Sequence, residues 1–304
     1  MTTLSIDNKL GLTDEQKMLR ETVRDFANTV VAPKAAHIDK TCEFPVDTFK
    51  QLGEMGLMGV PVPEKYGGAG MDYTSYAITI EEIARVCAST ALSLAAHTSL
   101  VCLPLTNFGS EAQKQQYLPL LASGEFIGAY GLTEPNAGSD AGGTQTTAEK
   151  KGDNWVLNGA KIFITNANVA SVYIATALTD KAKGTRGGIS AFVYERDTAG
   201  FSLGQKDEKL GMRGSDWGTL QFDNMELPAD SLIGEEGQGF KYFMKTLDSG
   251  RISIGALAVG IAQGCLDQAL KYSKERKQFG KAISEFQAIQ FMLSDMATEI
   301  QAAR

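Results

Sequence analysis

The chain has 304 residues, of which 43% are apolar and 21% charged, enough to bury the cores of two or three domains and too apolar for a disordered polymer. A net charge of -7 and a pI near 5.1 exclude the basic face that a nucleic-acid partner needs. Four scattered cysteines, Cys42, Cys87, Cys102 and Cys265, form no CxxC pair, and two histidines add little metal-binding capacity, so free buried thiols in a reducing compartment are expected.

Met1 to Leu10 has neither a basic start nor an apolar run, which argues against a secretory signal, and it lacks the arginines of a transit peptide. The cytoplasm, or an organelle matrix after processing, is the expected compartment. From Thr13 onward the pattern is helical. Thr13 with Gln16 has the form of a capping box, and Leu19, Val23, Phe26, Ala27 and Val30 recur on one face until Pro33, which should interrupt the helix. Further helices are predicted after Pro45, after Asp72, around Leu92 to Leu100, and after Ser110, where Gln113 completes a second capping box. Val86 to Ser110 holds no charged residue, yet its serines, threonines, His97 and Asn107 dilute it, and no Lys/Arg bias marks its ends; a buried helix is expected, not a membrane span.

The texture changes near Gly124. Short apolar runs follow at Phe126–Tyr130, Trp155–Leu157, Ile162–Ile164, Val172–Ala175, Ile189–Val193 and Leu220–Phe222, with turns but no helices between them. Such spacing predicts an antiparallel β-barrel or sandwich, and no strand is followed by G-x-G-x-x-G and a helix. After Pro228 the helical period returns. Leu257, Ile261, Leu266 and Leu270 form a stripe, and Ser284 with Gln287 should open a last helix carrying Ile289, Met292, Met296 and Ile300. The expected architecture is multi-domain α and β: an N-terminal α-helical domain at 1–122, a β domain at 123–230 and a helical domain at 231–304. Two helices with apolar faces leave surface to cover, which predicts instability or association.

The richest chemical segment is Gly131-Leu-Thr-Glu-Pro-Asn-Ala-Gly-Ser-Asp-Ala-Gly-Gly143, entered directly from a strand. Glycines let successive N–H groups aim at one anion, and Thr133 and Ser139 add hydroxyl donors. Glu134 is a conceivable base, but a carboxylate beside Pro135 in such a turn more readily fixes the loop by accepting from backbone amides.

This segment resembles the first signature of the acyl-CoA dehydrogenases, most closely the short-chain, butyryl-CoA group. Lys161-Ile-Phe-Ile-Thr-Asn166, Lys209-Leu-Gly-Met-Arg-Gly-Ser215, Leu247-Asp-Ser-Gly-Arg251 and Glu275-Arg-Lys-Gln-Phe-Gly280 are similar to further family stretches in the same order. The resemblance implies a C-terminal bundle of four helices, of which about two are present. It also implies FAD, with Tyr130, Leu132, Thr133, Gly138, Ser139, Phe163, Ile164 and Thr165 lining it; many relatives carry Trp where this chain has Phe163. Arg276, Phe279 and Gln287 resemble the group that reaches the FAD of a neighbouring subunit, implying a homo-oligomer, a tetramer in the family. Ser139, Asp248, Ser249, Gly250 and Arg251 match positions that meet the acyl-CoA substrate.

The implied reaction introduces a double bond between Cα and Cβ of an acyl-CoA thioester, with an electron-transfer flavoprotein as acceptor. It needs a glutamate base, which one branch of the family places where this chain has Gly250. Glycine carries no base, so the resemblance puts that glutamate beyond Arg304, and the chain alone is expected to be inactive. A same-fold acyl-CoA oxidase and a non-catalytic acyl-CoA or flavin-binding fragment remain the alternatives.

Overall fold

The computed structural model describes residues 11–205 and 208–304; Met1 to Leu10, read above for a leader, lies outside the described residues. Helix α1 (Asp14–Phe26) starts where expected: Thr13 Oγ1 accepts from the Gln16 N–H at 3.2 Å, and Gln16 Oε1 accepts from the Thr13 N–H at 3.1 Å. Two amides that a helix start leaves orphaned are thereby paired. Val23, Phe26 and Ala27 are buried along its stripe.

Pro33 does not interrupt the helix, contrary to the expectation above. The chain widens into a π turn at Ala27–Val31, with the Ala32 N–H reaching the Ala27 carbonyl, and continues as α2 (Ala32–Thr41) with Pro33 in its first turn. A proline lacks a donor and crowds the carbonyl four residues back; a wider turn just before it accommodates both. Helices α3 (Val46–Glu54) and α4 (Tyr73–Ala84) follow. The device then recurs. Helix α5 (Ala88–His97) passes through a π turn at Thr98–Cys102 into α6 (Leu103–Phe108), where Pro104 occupies the same place relative to its π turn as Pro33. The apolar Ala88–Phe108 run is long enough to span a bilayer, but 83% of its most apolar window is buried inside the protein, as in a core helix. Helix α7 (Glu111–Ala122) carries the second expected capping box.

The middle domain is a curled seven-stranded sheet among the described residues: β1 (Gly128–Gly131), β2 (Thr147–Lys151), β3 (Asn154–Thr165), β4 (Val172–Leu178), β5 (Ile189–Glu195), β6 (Phe201–Leu203) and β7 (Trp217–Pro228), in the order β1-β4-β2-β3-β7-β6 with β5 on β4. It is not wholly antiparallel as expected. β1 pairs β4 in parallel, and Thr147 of β2 meets Leu178 further along the same strand. The chain leaves β1, runs out and back through β2 and β3, and returns along β1 in its original direction. β4 is buried on both faces: Tyr173 and Ala175 enter the core inside the curl, while Val172 and Ile174 pack on Val101, Leu105 and Leu118 of the helical domain. A strand with no wet face reads as an unbroken apolar run.

The C-terminal domain begins with α8 (Gly239–Glu275), followed by a hairpin of β8 (Lys277–Gln278) and β9 (Lys281–Ala282) and by α9 (Gln287–Ala303). Ser284 does not cap α9, as had been expected. It sits inside a preceding 3-10 turn, where Glu285 Oε1 accepts from the Ala282 N–H at 3.1 Å. Leu257 and Leu266 of the expected stripe are buried, whereas Leu270 is exposed, as are Met244, Ile252, Ile254, Tyr272, Phe291 and Met292. Cys87 and Cys102 are buried, Cys42 is half-buried and Cys265 is exposed, so only two of the four thiols match the buried expectation.

Two glycines seat α8 on α4. A Cβ on Gly260 would stand 2.3 Å from the Glu81 carbonyl oxygen, and one on Gly264 only 2.1 Å from that of Arg85. Around this contact Arg85 pairs with Asp267 at 3.1 Å, and Arg304 with Glu81 at 2.9 Å. Gly264→Ala should therefore lower stability by about 1–3 kcal/mol in a thermal melt, whereas Gly255→Ala on the same helix, where nothing lies within 4 Å, should not.

His97 ties the helical domain to β1. Its Nδ1 accepts from the Gly128 N–H at 3.0 Å, and its Nε2 lies 3.3 Å from Cys102 Sγ. Burial lowers the imidazole from 6.5 to about 4. As pH falls below 6.5 the unfolded chain takes up the proton first, so stability is lost between pH 6.5 and about 4, at about 1.4 kcal/mol per pH unit. His97→Asn keeps an acceptor for Gly128 without the titration. Its loss of stability between pH 7 and 5, read by denaturant unfolding, should be smaller than the parent's by about 2 kcal/mol.

Candidate functional site

The glycine-rich segment leaves β1, whose first residue is held twice. The Gly128 N–H donates to His97, and the Gly128 carbonyl accepts from Asn166 Nδ2 at 3.2 Å. Asn166 Nδ2 also reaches the Ser93 carbonyl at 3.0 Å, which joins β1, the end of β3 and α5 in one place. Beyond Gly131 the chain closes a tight turn: Glu134 and Ala137 exchange backbone hydrogen bonds of 2.9 and 3.1 Å. Gly138 and Ser139 then lie on the exposed rim.

Under this loop sits a buried ion pair. Lys161 is fully buried, and its Nζ donates to Glu134 Oε1 at 2.7 Å, to the Leu132 carbonyl and Thr144 Oγ1 at 3.2 Å, and to Thr176 Oγ1 at 3.4 Å. Glu134 also accepts from the Gln145 N–H at 2.6 Å, the Thr146 N–H at 3.2 Å and the Thr144 hydroxyl. Burial alone would raise the Glu134 carboxyl; the Lys161 ammonium and the hydroxyl and amide donors outweigh it and hold the group well below the usual carboxylate range. Burial in turn lowers the Lys161 ammonium, against the pull of Glu134. A carboxylate so committed is a poor base. Glu134 fixes the loop, the reading favoured by its place beside Pro135.

Directly after Lys161 the β3–β7 ladder slips: Lys161 faces Leu220 and Ile164 faces Gly218, leaving Ile162 and Phe163 opposite a single residue. This bulge re-aims a side chain. Phe163 adopts φ 61° and lies 52% exposed, its ring 4.9 Å from that of Trp217. The left-handed backbone costs a non-glycine residue about 1–2 kcal/mol. The Ile162 N–H donates to the Thr133 carbonyl at 2.8 Å, so the bulge and the loop are stitched together.

The structure thus brings Tyr130, Leu132 and Thr133 beside Phe163, Ile164 and Thr165, with Gly138 and Ser139 on the adjoining rim. Ile164 points into the core, at 3% exposure. Helix α8 meets this region at its start, where the Phe240 ring stands 4.0 Å from the position of a Cβ on Gly142. Asp248 and Arg251 pair with each other at 2.8 Å on the exposed face of α8. Ser249 is half-buried, and Gly250 is buried against Leu100 and Ser99. Arg276, Phe279 and Gln287 are not brought to the loop within one chain. They lie past the far end of α8, a 37-residue helix about 55 Å long, with Phe279 93% exposed and at φ 53°. Among the described residues no cluster of His, Cys, Asp or Glu is placed to hold a metal.

Sequence reasoning missed Lys161, His97 and Asn166. Only Lys161 left a signal, a charge heading the apolar Ile162-Phe163-Ile164 run.

Three domain profiles match the chain: acyl-CoA dehydrogenase N-terminal domain over residues 13–125, middle domain over 129–225 and C-terminal domain over 237–304. A probable acyl-CoA dehydrogenase of Bacillus subtilis, YngJ, is 55% identical over 293 residues, 96% of this chain and 77% of that protein. The short-chain specific acyl-CoA dehydrogenase of Clostridium acetobutylicum is 50% identical over 294 residues, 97% and 77% of the two chains. The solved structure of butyryl-CoA dehydrogenase from Megasphaera elsdenii matches with a TM-score of 0.93 at 44% identity, covering 96% of this chain and 77% of that one.

Proposed function

The chain belongs to the acyl-CoA dehydrogenase family, and on that premise we propose that it forms the flavin- and acyl-CoA-binding part of a short-chain, FAD-dependent α,β-dehydrogenase. The observation that carries this reading is the bulge that lifts Phe163 out of β3 beside the Thr133 loop, to which the adjacent Ile162 N–H is bonded. An exposed aromatic held in a strained conformation has no use in the core; it suits a flat ring stacked on it. The N–H groups of Thr133, Gly138 and Ser139 find no acceptor among the described residues, which suits the polar edge and phosphates of FAD.

Thr133 and Leu132 would meet the ring system together with Phe163 and Thr165, while Ile164, whose side chain lies in the core, would offer its backbone alone; Ser139 would face phosphate or substrate and Tyr130 would back the loop. Asp248, Ser249 and Arg251 would meet the CoA portion, the guanidinium supplying a phosphate partner. Arg276, Phe279 and Gln287 would serve the FAD of a neighbouring subunit in a homo-oligomer; their distance from the loop of their own chain fits that role. FAD, when bound, supplies the hydride acceptor for the Cβ hydrogen, and an electron-transfer flavoprotein would reoxidise it. The residues named here bind and orient, and they exclude water from the reacting face.

None of them takes the proton. Glu134 is committed to Lys161, and Gly250 has no side chain. We therefore expect this 304-residue chain to bind and not to turn over. Anaerobic titration of the yellow protein with butyryl-CoA should perturb the flavin absorbance without loss of the oxidised band. Rapid bleaching would show that the chain contains its own base.

Phe163→Gly separates stability from binding. Removing the left-handed strain offsets the entropy cost of glycine, so the melting temperature of the apo form should hold or rise slightly. FAD retention on gel filtration should fall; unchanged retention would reject Phe163 as a flavin contact.

A further inference from the structure

We propose that Lys161 and Glu134 are positioning residues, whose buried ion pair sets the shape of the 132–146 loop against the β3 bulge and so holds the surface that receives the flavin. The proposal rests on the flavin reading above. Lys161 Nζ bonds at once to Leu132 and Glu134 where the loop leaves, to Thr144 where it returns, and to Thr176 on β4. Glu134 adds the Gln145 and Thr146 amides on the returning side. The pair is therefore a clasp across the neck of the loop.

Within the segment it encloses, the other anchors are the Glu134–Ala137 turn, the buried Ala137 and the contacts of Gly142 with Thr185 and Phe240. Pro135, Asn136, Gly138, Ser139 and Asp140 are exposed, and a Cβ on Gly138 would touch nothing. Lys161 is also the last residue of β3 in register before the slip that exposes Phe163. One side chain thus fixes both components of the candidate site: the rim with Thr133 and Ser139, and the aromatic platform. A methionine would fill the same volume without desolvating a charge, and a buried pair is a poor source of net stability. What the charges add is direction, since every donor and acceptor must be met.

The test uses the full chain and compares the parent with Lys161→Met and with Lys161→Met/Glu134→Leu, the second removing both charges so that no orphan carboxylate remains. In the apo proteins, hydrogen exchange at the loop amides paired within the backbone, those of Glu134, Ala137 and Gly143, should accelerate about tenfold or more, while Tyr173–Ala177 in β4 keeps its protection. The Kd for FAD, measured by quenching of flavin fluorescence, should rise about tenfold or more in the same variants. A double variant with parental loop exchange and parental FAD affinity overturns the proposal. Loss of protection throughout the double variant overturns it too, because the pair would then be a folding element. A parent chain that takes up no FAD sinks the flavin reading instead, and loop exchange still decides whether the pair is the clasp.

Discussion

A charge removed from water must be met on every side, and Lys161, the most deeply buried of several buried charges among the described residues, sets that demand beside the candidate site. Its ammonium is surrounded by a carboxylate, a carbonyl and two hydroxyls drawn from the loop after β1, the loop before β2, and β4. Leaving Glu134 out would strand a buried charge at a cost of several kcal/mol. The packing of three separate segments is thereby made conditional on a single geometry. The glycine-rich loop and the slip that turns Phe163 outward both adjoin that point.

The first helical domain is held to this sheet by the packing of Val101, Leu105 and Leu118 on β4 and by close backbone contacts as well. Gly128 is gripped by His97 through its N–H and by Asn166 through its carbonyl, and Asn166 reaches Ser93 with the same amide group. On the other side Gly260 and Gly264 let α8 lie directly on the carbonyls of Glu81 and Arg85. Contacts of this kind tolerate little change in size. The β domain, which carries the candidate site, is thus fixed to the first helical domain, and that domain in turn carries α8.

Periodicity made the domain order legible, because α1, α7 and the apolar strands bury one face or both in regular register. The role of Glu134 was legible as well: a carboxylate beside Pro135 in a glycine-rich turn has backbone amides within reach whatever the rest of the fold does. Its partner was not, because Lys161 lies 27 positions away and only the sheet brings them together. The parallel β1–β4 pairing escaped for the same reason. β2 was missed because Thr147-Ala-Glu-Lys-Lys151 is mostly polar, and β3 was split in two because Asn158 and Gly159 interrupt its apolar pattern at the first of its register shifts. Ser284 misled because a capping motif read from spacing cannot tell a helix start from the 3-10 turn before it.

The paired π turns bear on how the N-terminal domain tolerates insertion and deletion. Each is a lengthened turn, and each ends two positions before a proline. Removing one residue from Ala27–Val31 or from Thr98–Cys102 would restore an ordinary α-helical turn while the residues downstream keep their facing about the helix axis, because a π turn is an α turn that holds one residue more. Downstream of the first π turn lies the buried Ile38 of α2, and downstream of the second lies Leu105, which packs on the sheet. Such a deletion would leave those side chains facing the core but press the proline ring against a carbonyl that now stands too close. In these two places the extra residue and the proline answer to each other, so a one-residue gap fits an unbroken α-helix only where the proline is replaced as well.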